Sequence, residues 1–133
     1  KEMLQYCKER GVAFVAYSPL GRGFLTGQIN KLDDLAADDW RRNAPRFQGD
    51  NFDKNLALVD MVKSFAKDKG CSPAQLALAW VMAQGDHIFP IPGTKKVKYL
   101  EENAGAAAIA FTEKELSAIS DLFPLEIAEK QHY

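Results

Sequence analysis

An apolar run, VAFVAY at positions 12–17, leads directly into a glycine-rich turn, SPLGRGFLTG at positions 18–27. An unbroken apolar run of this length is typical of a strand buried on both faces, as in a parallel sheet covered by helices. A second such run, IFPI at positions 88–91, is closed by Pro92 and Gly93. Because helical patterns separate the two runs, the sequence predicts parallel strands in βα units and therefore an α/β fold.

Helix patterns occupy much of the remaining chain. Residues 1–11 are expected to be the later part of a helix that ends at Gly11, and residues 53–69 carry apolar side chains at helical spacing. The SPAQ sequence at 72–75 is a strong start signal for the next helix. Thr94 is expected to cap a helix that runs to about residue 108.

A last helix is expected after Thr112, which is followed three residues later by Glu115 in a capping-box pattern. Its inward-facing side chains are expected to be Leu116, Ile119, Leu122 and Phe123. By contrast, residues 19–52 form a long polar stretch with many turn residues, and a connection of this length in a compact domain is commonly a lid or a binding segment.

Two strands cannot make a stable parallel sheet by themselves, because sheets carry more strands and unpaired edges are costly. No N-cap signal precedes the first helix, and the chain begins with Lys1. We therefore expect residues 1–133 to be the C-terminal part of a single domain whose N-terminal part precedes Lys1.

Composition excludes several classes of protein. The 133 residues carry 17 Lys and Arg against 18 Asp and Glu, so the net charge is −1, and 47% are hydrophobic. These values exclude a disordered tail and a protein that binds nucleic acid through bulk charge. No apolar run approaches the roughly 20 residues of a membrane-spanning helix. Cys7 and Cys71 are interpreted as reduced thiols, which favours the cytoplasm. His87 and His132 lie in no metal or catalytic motif and are interpreted as structural.

The glycine-rich turn is the first candidate site. It follows a predicted strand, and ligands of parallel α/β proteins bind at the carboxyl ends of strands. Gly21 and Gly23 would let backbone N–H groups approach a phosphate, and Arg22 could add a charge-assisted hydrogen bond. A tight turn without a ligand is the alternative. The pattern differs from the Rossmann fingerprint, since Thr26 stands in place of the third glycine.

The second candidate is Gly93-Thr94-Lys95-Lys96, which follows the second strand and opens a predicted helix. Lysines in a first helical turn oppose the helix dipole unless an anion lies nearby, although a solvated surface pair is the alternative. Both candidates follow consecutive strands. In barrels of eight βα units, the loops after strands seven and eight often bind phosphate, and the two candidates would then form one phosphate pocket.

The two motifs resemble those of the aldo-keto reductases. VAYSPLG-x-G-x-LTG at positions 15–27 resembles that family's strand-seven signature, and IPGTKK at 91–96 with LEEN at 100–103 resembles its strand-eight and cofactor signature. Two short stretches, Arg41-Arg42 and Pro45-Arg46-Phe47-Gln48, resemble a long-loop subgroup with plant and microbial members. The resemblance implies strands 7 and 8 of a (β/α)8 TIM barrel, an NADPH or NADP+ cofactor and a small carbonyl substrate.

Site roles are also implied by the resemblance. Tyr17 would stack on the nicotinamide ring, and Tyr99 occupies a position that is often basic in relatives. The diphosphate would be lined by Ser18, Leu20, Gly21 and Gly23. The 2′-phosphate would be held by Gly93, Thr94, Lys95 and Lys96. The adenine would meet Glu102 and Asn103, and the substrate rim would include Trp40 and Phe47.

The family's catalytic Asp, Tyr, Lys and His lie on earlier strands and have no counterpart in this sequence, so no catalytic residue is assigned. No metal-binding residue is assigned either. The resemblance therefore implies an NADPH-dependent reductase of aldehydes and ketones, of which this chain would be the cofactor-binding half and would be inactive alone. The alternative is a non-catalytic NADPH-binding relative, similar to the potassium-channel β subunits.

Overall fold

The computed structural model describes residues 2–122 of the chain. The regular elements are α1 (Glu2–Glu9), β1 (Phe14–Tyr17), α2 (Gly49–Lys69), α3 (Pro73–Met82), β2 (Ile88–Ile91), α4 (Val97–Gly105) and α5 (Glu113–Leu122). Short 3-10 segments lie at Gly21–Thr26, Leu32–Asp34, Trp40–Asn43, Pro45–Phe47 and Ala106–Ala108. Phe123 and His132 lie outside the described residues.

The two strands pair in parallel, as the sequence predicts. Phe14 lies opposite Ile88, and Tyr17 lies opposite Ile91. Strand β1 begins at Phe14 rather than at Val12 because the Val12 N–H donates to the Cys7 carbonyl at 2.9 Å, and so closes the end of α1.

One face of this sheet is covered and the other is exposed. Helix α3 packs against β2, and Ile88 is buried there. The opposite face presents four side chains that are each more than half exposed: Val15, Tyr17, Phe89 and Ile91. The prediction that both faces are buried is therefore wrong for this chain. The runs are apolar on both sides, but only one layer of helices packs on the described strands.

Two of the three predicted helix caps are confirmed. The Gln75 N–H donates to Ser72 Oγ at 3.2 Å, and the Ser72 N–H donates to Gln75 Oε1 at 3.1 Å. Thr112 and Glu115 form the same reciprocal pair before α5. The cap predicted at Thr94 is wrong: α4 begins at Val97 and its N-cap is Lys96.

The long connection is more ordered than its composition suggests. Its 3-10 segments place Phe24 and Phe47 edge to face, with ring centroids 5.2 Å apart, and both pack in a buried cluster with Val59 of α2. Phe47 is only 1% exposed, so its predicted place on a substrate rim is wrong. Helix α2 starts earlier than expected, at Gly49, and buries Val62 as the periodicity indicates.

No helix within residues 2–122 is both long and apolar enough to cross a lipid bilayer. His87 anchors α1 to the start of β2, because its Nε2 lies 3.0 Å from the Leu4 carbonyl oxygen. Within the same range, no three His, Cys, Asp or Glu side chains are grouped so that they could hold a metal ion.

Candidate functional site

A single groove of about 650 Å³ runs between the glycine-rich turn after β1 and the loop after β2. This volume falls in the range of roughly 300–1,000 Å³ that is usual for small-molecule sites. Both loops leave the carboxyl ends of paired parallel strands, so the sheet itself brings them together. The groove is completed by the start of α3, by α4 and by the long connection.

Seven of the residues predicted from the sequence line this groove: Ser18, Leu20, Gly23, Gly93, Thr94, Glu102 and Asn103. Four others do not. Tyr17 lies on the exposed sheet face and is 64% exposed, and Gly21 backs onto Arg46. Lys95 and Lys96 are exposed and follow the lining residue Thr94. The structure thus joins the two motifs along one groove, with the lysines at its edge.

The glycine-rich turn has an unusual backbone. Gly21 and Gly23 have φ of 58° and 91°, and two non-glycine residues of the described chain, Ser18 and Arg22, also have positive φ, at 48° and 61°. Such conformations cost free energy in ordinary residues and persist where the surroundings enforce them. The turn is closed by Gly21 N–H to Ser18 O at 2.9 Å and Gly23 N–H to Leu20 O at 3.0 Å.

Arg41 holds this turn in place from the long connection. One of its guanidinium nitrogens donates to the Arg22 carbonyl at 3.0 Å, and its Nε donates to Asp39 Oδ1 at 3.0 Å. The hydrogen bonds from Arg41 lower the pKa of Asp39 to about 2, and the pKa of Arg41 is raised by the same contact. The Arg41–Asp39 pair therefore stays ionised at neutral pH. Arg41 also packs closely on the turn, because a Cβ at Gly23 would lie only 3.2 Å from Arg41 Nη1.

The loop after β2 is shaped by a local hydrogen-bonded turn. Thr94 Oγ1 accepts from the Lys96 N–H at 3.2 Å, which explains why Thr94 does not cap the helix itself. The Lys96 ammonium lies 5.6 Å from the centroid of the Tyr99 ring, and Tyr99 lines the groove. Because lysine ammonium groups are attracted to aromatic faces at this distance, Tyr99 holds a positive charge beside the groove.

Helix α4 supplies the far wall of the groove. The Gln75 side chain donates from Nε2 to the Glu102 carbonyl at 2.9 Å, which fixes α4 against the start of α3. Glu102 and Asn103 both face the groove from this helix.

Several residues that line the groove have no role predicted from the sequence: Gln28, Ile29, Asp34, Leu35, Arg41 and Ala74. Most come from the long connection, whose path depends on distant packing. One local signal was available, since Asp39 accepts from the Arg41 N–H as an N-cap and thereby positions the Arg41 side chain.

A family model described as the aldo/keto reductase family matches residues 1–123. The chain belongs to the aldo/keto reductase family. It is 50% identical over 120 residues to "Aldo-keto reductase str7" of Strobilurus tenacellus, with 90% of this chain and 36% of that protein covered. It is 48% identical over 119 residues to "Aldo-keto reductase yakc [NADP(+)]" of Schizosaccharomyces pombe, with 90% and 35% covered.

The solved structures agree with this family assignment. The glycerol dehydrogenase AKR11B4 from Gluconobacter oxydans matches with a TM-score of 0.80 at 32% identity, over 90% of this chain and 36% of that one. Such neighbours are TIM barrels, and the described chain is a partial α/β unit of such a barrel with two parallel strands. The predictions of family and fold class are confirmed. The chain spans little more than a third of the length of these relatives.

Proposed function

We propose that this chain is the cofactor-binding part of an NADPH-dependent aldo-keto reductase that reduces small aldehydes or ketones. The observation that carries the proposal is that the glycine-rich turn and the Thr94 loop line the same groove. NADPH bears phosphates at two places, a diphosphate bridge and a 2′-phosphate. The chain offers cations along the groove at Arg22 and Arg41 and at its edge at Lys96. One relative carries NADP(+) in its name, which supports the same cofactor.

The donor set of the groove fits such a dinucleotide. The turn carries no side chain at positions 21 and 23, and the positive φ of both glycines turns the backbone in a way that other residues adopt only with strain. In the proposal this turn, with Ser18 and Leu20, holds the diphosphate. Arg41 holds the turn through its hydrogen bond to the Arg22 carbonyl, lines the same groove and stays positively charged at neutral pH.

The adenosine end of the cofactor is assigned to the loop after β2. Lys95 and Lys96, with Gly93 and Thr94, are proposed to hold the 2′-phosphate through charge-assisted hydrogen bonds. The adenine is proposed to meet Glu102 and Asn103 on α4. The Lys96 contact with Tyr99 supports this assignment, because it keeps the ammonium group at the mouth of the groove.

Tyr17 is proposed to stack on the nicotinamide ring. It ends β1 one residue before the glycine-rich turn, and its side chain lies on the uncovered sheet face, where a planar ring can approach it. When bound, NADPH supplies the hydride that reduces the carbonyl carbon. The role of this chain is to bind and orient the cofactor.

The catalytic Asp, Tyr, Lys and His of the family are not assigned to this chain. In the proposal they come from the other strands of the barrel, on sequence that precedes Lys1, and residues 1–133 by themselves would be inactive. A cytoplasmic location, inferred from two unpaired cysteines, is part of the same proposal.

The proposal is tested with a double variant of the full-length protein, Lys95→Ala with Lys96→Ala. We expect the Kd for NADPH to rise at least about tenfold, because two charge-assisted hydrogen bonds are lost, while the Kd for NADH stays near its original value. The matched control is Lys54→Ala with Lys67→Ala, two exposed lysines of α2. Equal losses for the two cofactors, or no loss, would refute the 2′-phosphate assignment.

A further inference from the structure

Helix α4 carries the two residues assigned to the adenine, Glu102 and Asn103, but it has little apolar support of its own. On the described chain none of its nine residues is buried, and Val97 and Leu100 are each more than half exposed. The helix packs against α3 and runs on into the short segment Ala106–Ala108. Because apolar burial contributes little to holding α4, its position depends strongly on individual polar contacts.

Gln75 makes the polar contact that joins α4 to α3. Its Nε2 donates to the Glu102 carbonyl at 2.9 Å. Glu102 lies in the last turn of α4, where carbonyl groups lack the usual partner within a helix, so a donor from another element satisfies one of them. The Gln75 side chain is itself held, because its Oε1 accepts from the Ser72 N–H at 3.1 Å. The contact therefore fixes the backbone of a residue that lines the groove.

Gly105 leaves the space for this contact. A Cβ at Gly105 would lie 2.7 Å from Gln75 Nε2, so an alanine there would displace the Gln75 amide. The backbone of Gly105 is ordinary helix, with φ of −60°, and does not require a glycine. Two residues of different elements thus serve one contact, since Gln75 supplies the donor and Gly105 the room for it.

We propose that Gln75 is a positioning residue for the adenine of the cofactor. By holding the Glu102 backbone, it sets the side chains of Glu102 and Asn103 at the place from which they recognise the base. The inference deepens the proposed function and rests on it. Carboxylate and amide oxygens accept hydrogen bonds from the exocyclic amino group of adenine, which hypoxanthine lacks. The preference for adenine over hypoxanthine therefore reports how well α4 is placed.

The substitution Gln75→Glu in the full-length protein separates the two roles of the side chain. A glutamate keeps the acceptor that caps α3, and its charge suits the N-terminus of that helix, but it has no donor for the Glu102 carbonyl. Gly105→Ala disturbs the same contact without a change of charge, and alanine is the better helix former. Gln84→Glu is the matched control, because Gln84 Nε2 donates to the Trp80 carbonyl at 3.0 Å, at the other end of α3.

Three quantities are measured for the wild type and each variant: the Kd for NADPH, the Kd for its hypoxanthine analogue, and the Tm. We expect the wild type to bind NADPH more tightly than the analogue. In Gln75→Glu and in Gly105→Ala, the Kd for the analogue divided by the Kd for NADPH should fall about fivefold, as expected for the loss of about one hydrogen bond. The added charge of Gln75→Glu by itself would weaken both ligands equally and leave this ratio unchanged.

Two further results are expected if one contact is responsible. The double variant should lose little more of the ratio than either single variant, because both changes remove the same hydrogen bond. Gly105→Ala should keep the Tm of the wild type while it loses the preference for adenine, which a general loss of stability would not produce.

A ratio that stays at the wild-type value in either folded variant overturns the inference, as does an equal fall in Gln84→Glu. Both results leave the proposed function intact, because NADPH still binds. A wild type that binds NADPH and the hypoxanthine analogue equally refutes the assignment of adenine to Glu102 and Asn103 and the inference with it. A wild type that binds neither ligand contradicts the proposed function and the inference together.

Discussion

The side chain of Gln75 joins two helices that the sequence treats as separate. Its Oε1 accepts from the Ser72 N–H at 3.1 Å, which completes the N-terminal cap of α3, while its Nε2 donates to the Glu102 carbonyl of α4 at 2.9 Å. A single residue therefore starts one helix and sets the position of the next. Because α4 forms a wall of the groove, this bond links a helix cap to the geometry of the candidate site.

Replacing Gln75 is expected to destabilise the protein and to loosen the groove. Gln75→Ala removes half of the capping box and leaves the Glu102 carbonyl without this donor, so we expect the free energy of unfolding to fall by about 1–2 kcal/mol. The measurement is denaturant unfolding. Gln84→Ala is the matched control, because the exposed Gln84 side chain donates to a carbonyl four residues away, that of Trp80, and the change in unfolding free energy should stay within about 0.5 kcal/mol. Equal losses would contradict the bridging role.

Gly23 and Gly93 should respond differently to alanine. Gly23 has φ of 91°, and an added Cβ would lie 3.2 Å from Arg41 Nη1, so Gly23→Ala should cost about 1 kcal/mol or more and weaken cofactor binding. An added Cβ at Gly93 meets nothing within 4 Å, so Gly93→Ala should leave the Tm almost unchanged. Thermal unfolding of the wild type and the two variants measures the change in Tm for each. A Tm that falls as far for Gly93→Ala as for Gly23→Ala would count against the turn geometry.

The Lys69–Glu115 ion pair predicts how stability changes in acid. Hydrogen bonds from Lys69, and then from Thr112, lower the pKa of Glu115 from 4.5 to about 2. Because the folded protein binds this proton less readily than the unfolded chain, the pair stabilises the fold fully above about pH 4.5. That contribution is lost as the pH falls towards 2.

Glu115→Gln should therefore reduce the dependence of unfolding free energy on pH between about 4.5 and 2. Glu113→Gln, at an exposed position on the same helix, should leave that slope unchanged. Urea titrations at a series of pH values provide the measurement. A slope that is identical in the wild type and in Glu115→Gln would show that the pair does not contribute.

Tyr99 is expected to affect the preference for NADPH over NADH. Its ring holds the Lys96 ammonium at 5.6 Å, so Tyr99→Leu should weaken NADPH binding about two- to threefold, as expected for an exposed cation–π contact. Tyr99→Phe keeps the aromatic face and should retain the affinity. Fluorescence titration with both cofactors measures the preference as the Kd for NADH divided by the Kd for NADPH. A fall in the ratio for Tyr99→Phe equal to that for Tyr99→Leu would refute positioning by the ring.

Local sequence signals predicted the features that depend on neighbouring residues. The caps at Ser72 and Thr112 were recoverable because each involves a side chain and a backbone group three residues apart. The role of Thr94 could not be predicted in this way, because a threonine hydroxyl can cap a helix N-terminus or close a short turn. Here it accepts from the Lys96 N–H in a turn. The choice depends on where α4 must lie, which no local pattern specifies.

Contacts across the chain were much harder to predict. Phe47 is buried against Phe24, 23 positions away in the sequence, and Arg41 reaches the Arg22 carbonyl across 19 positions. In the sequence an aromatic residue in a polar loop is equally consistent with a ligand rim and with a core. The exposure of Tyr17 and Val15 was missed for a related reason, since an apolar run indicates that a strand can be buried on both faces and not which layers cover it.

We propose that the glycine-rich turn and the loop after β2 hold the diphosphate and the 2′-phosphate, respectively, of one dinucleotide. A crystal structure of the full-length protein with NADP+ tests it most directly. We predict that the diphosphate lies against Gly21 and Gly23 and that the 2′-phosphate lies within hydrogen-bonding distance of Lys95 or Lys96. Density for the cofactor outside this groove, or a 2′-phosphate remote from both lysines, would contradict the claim.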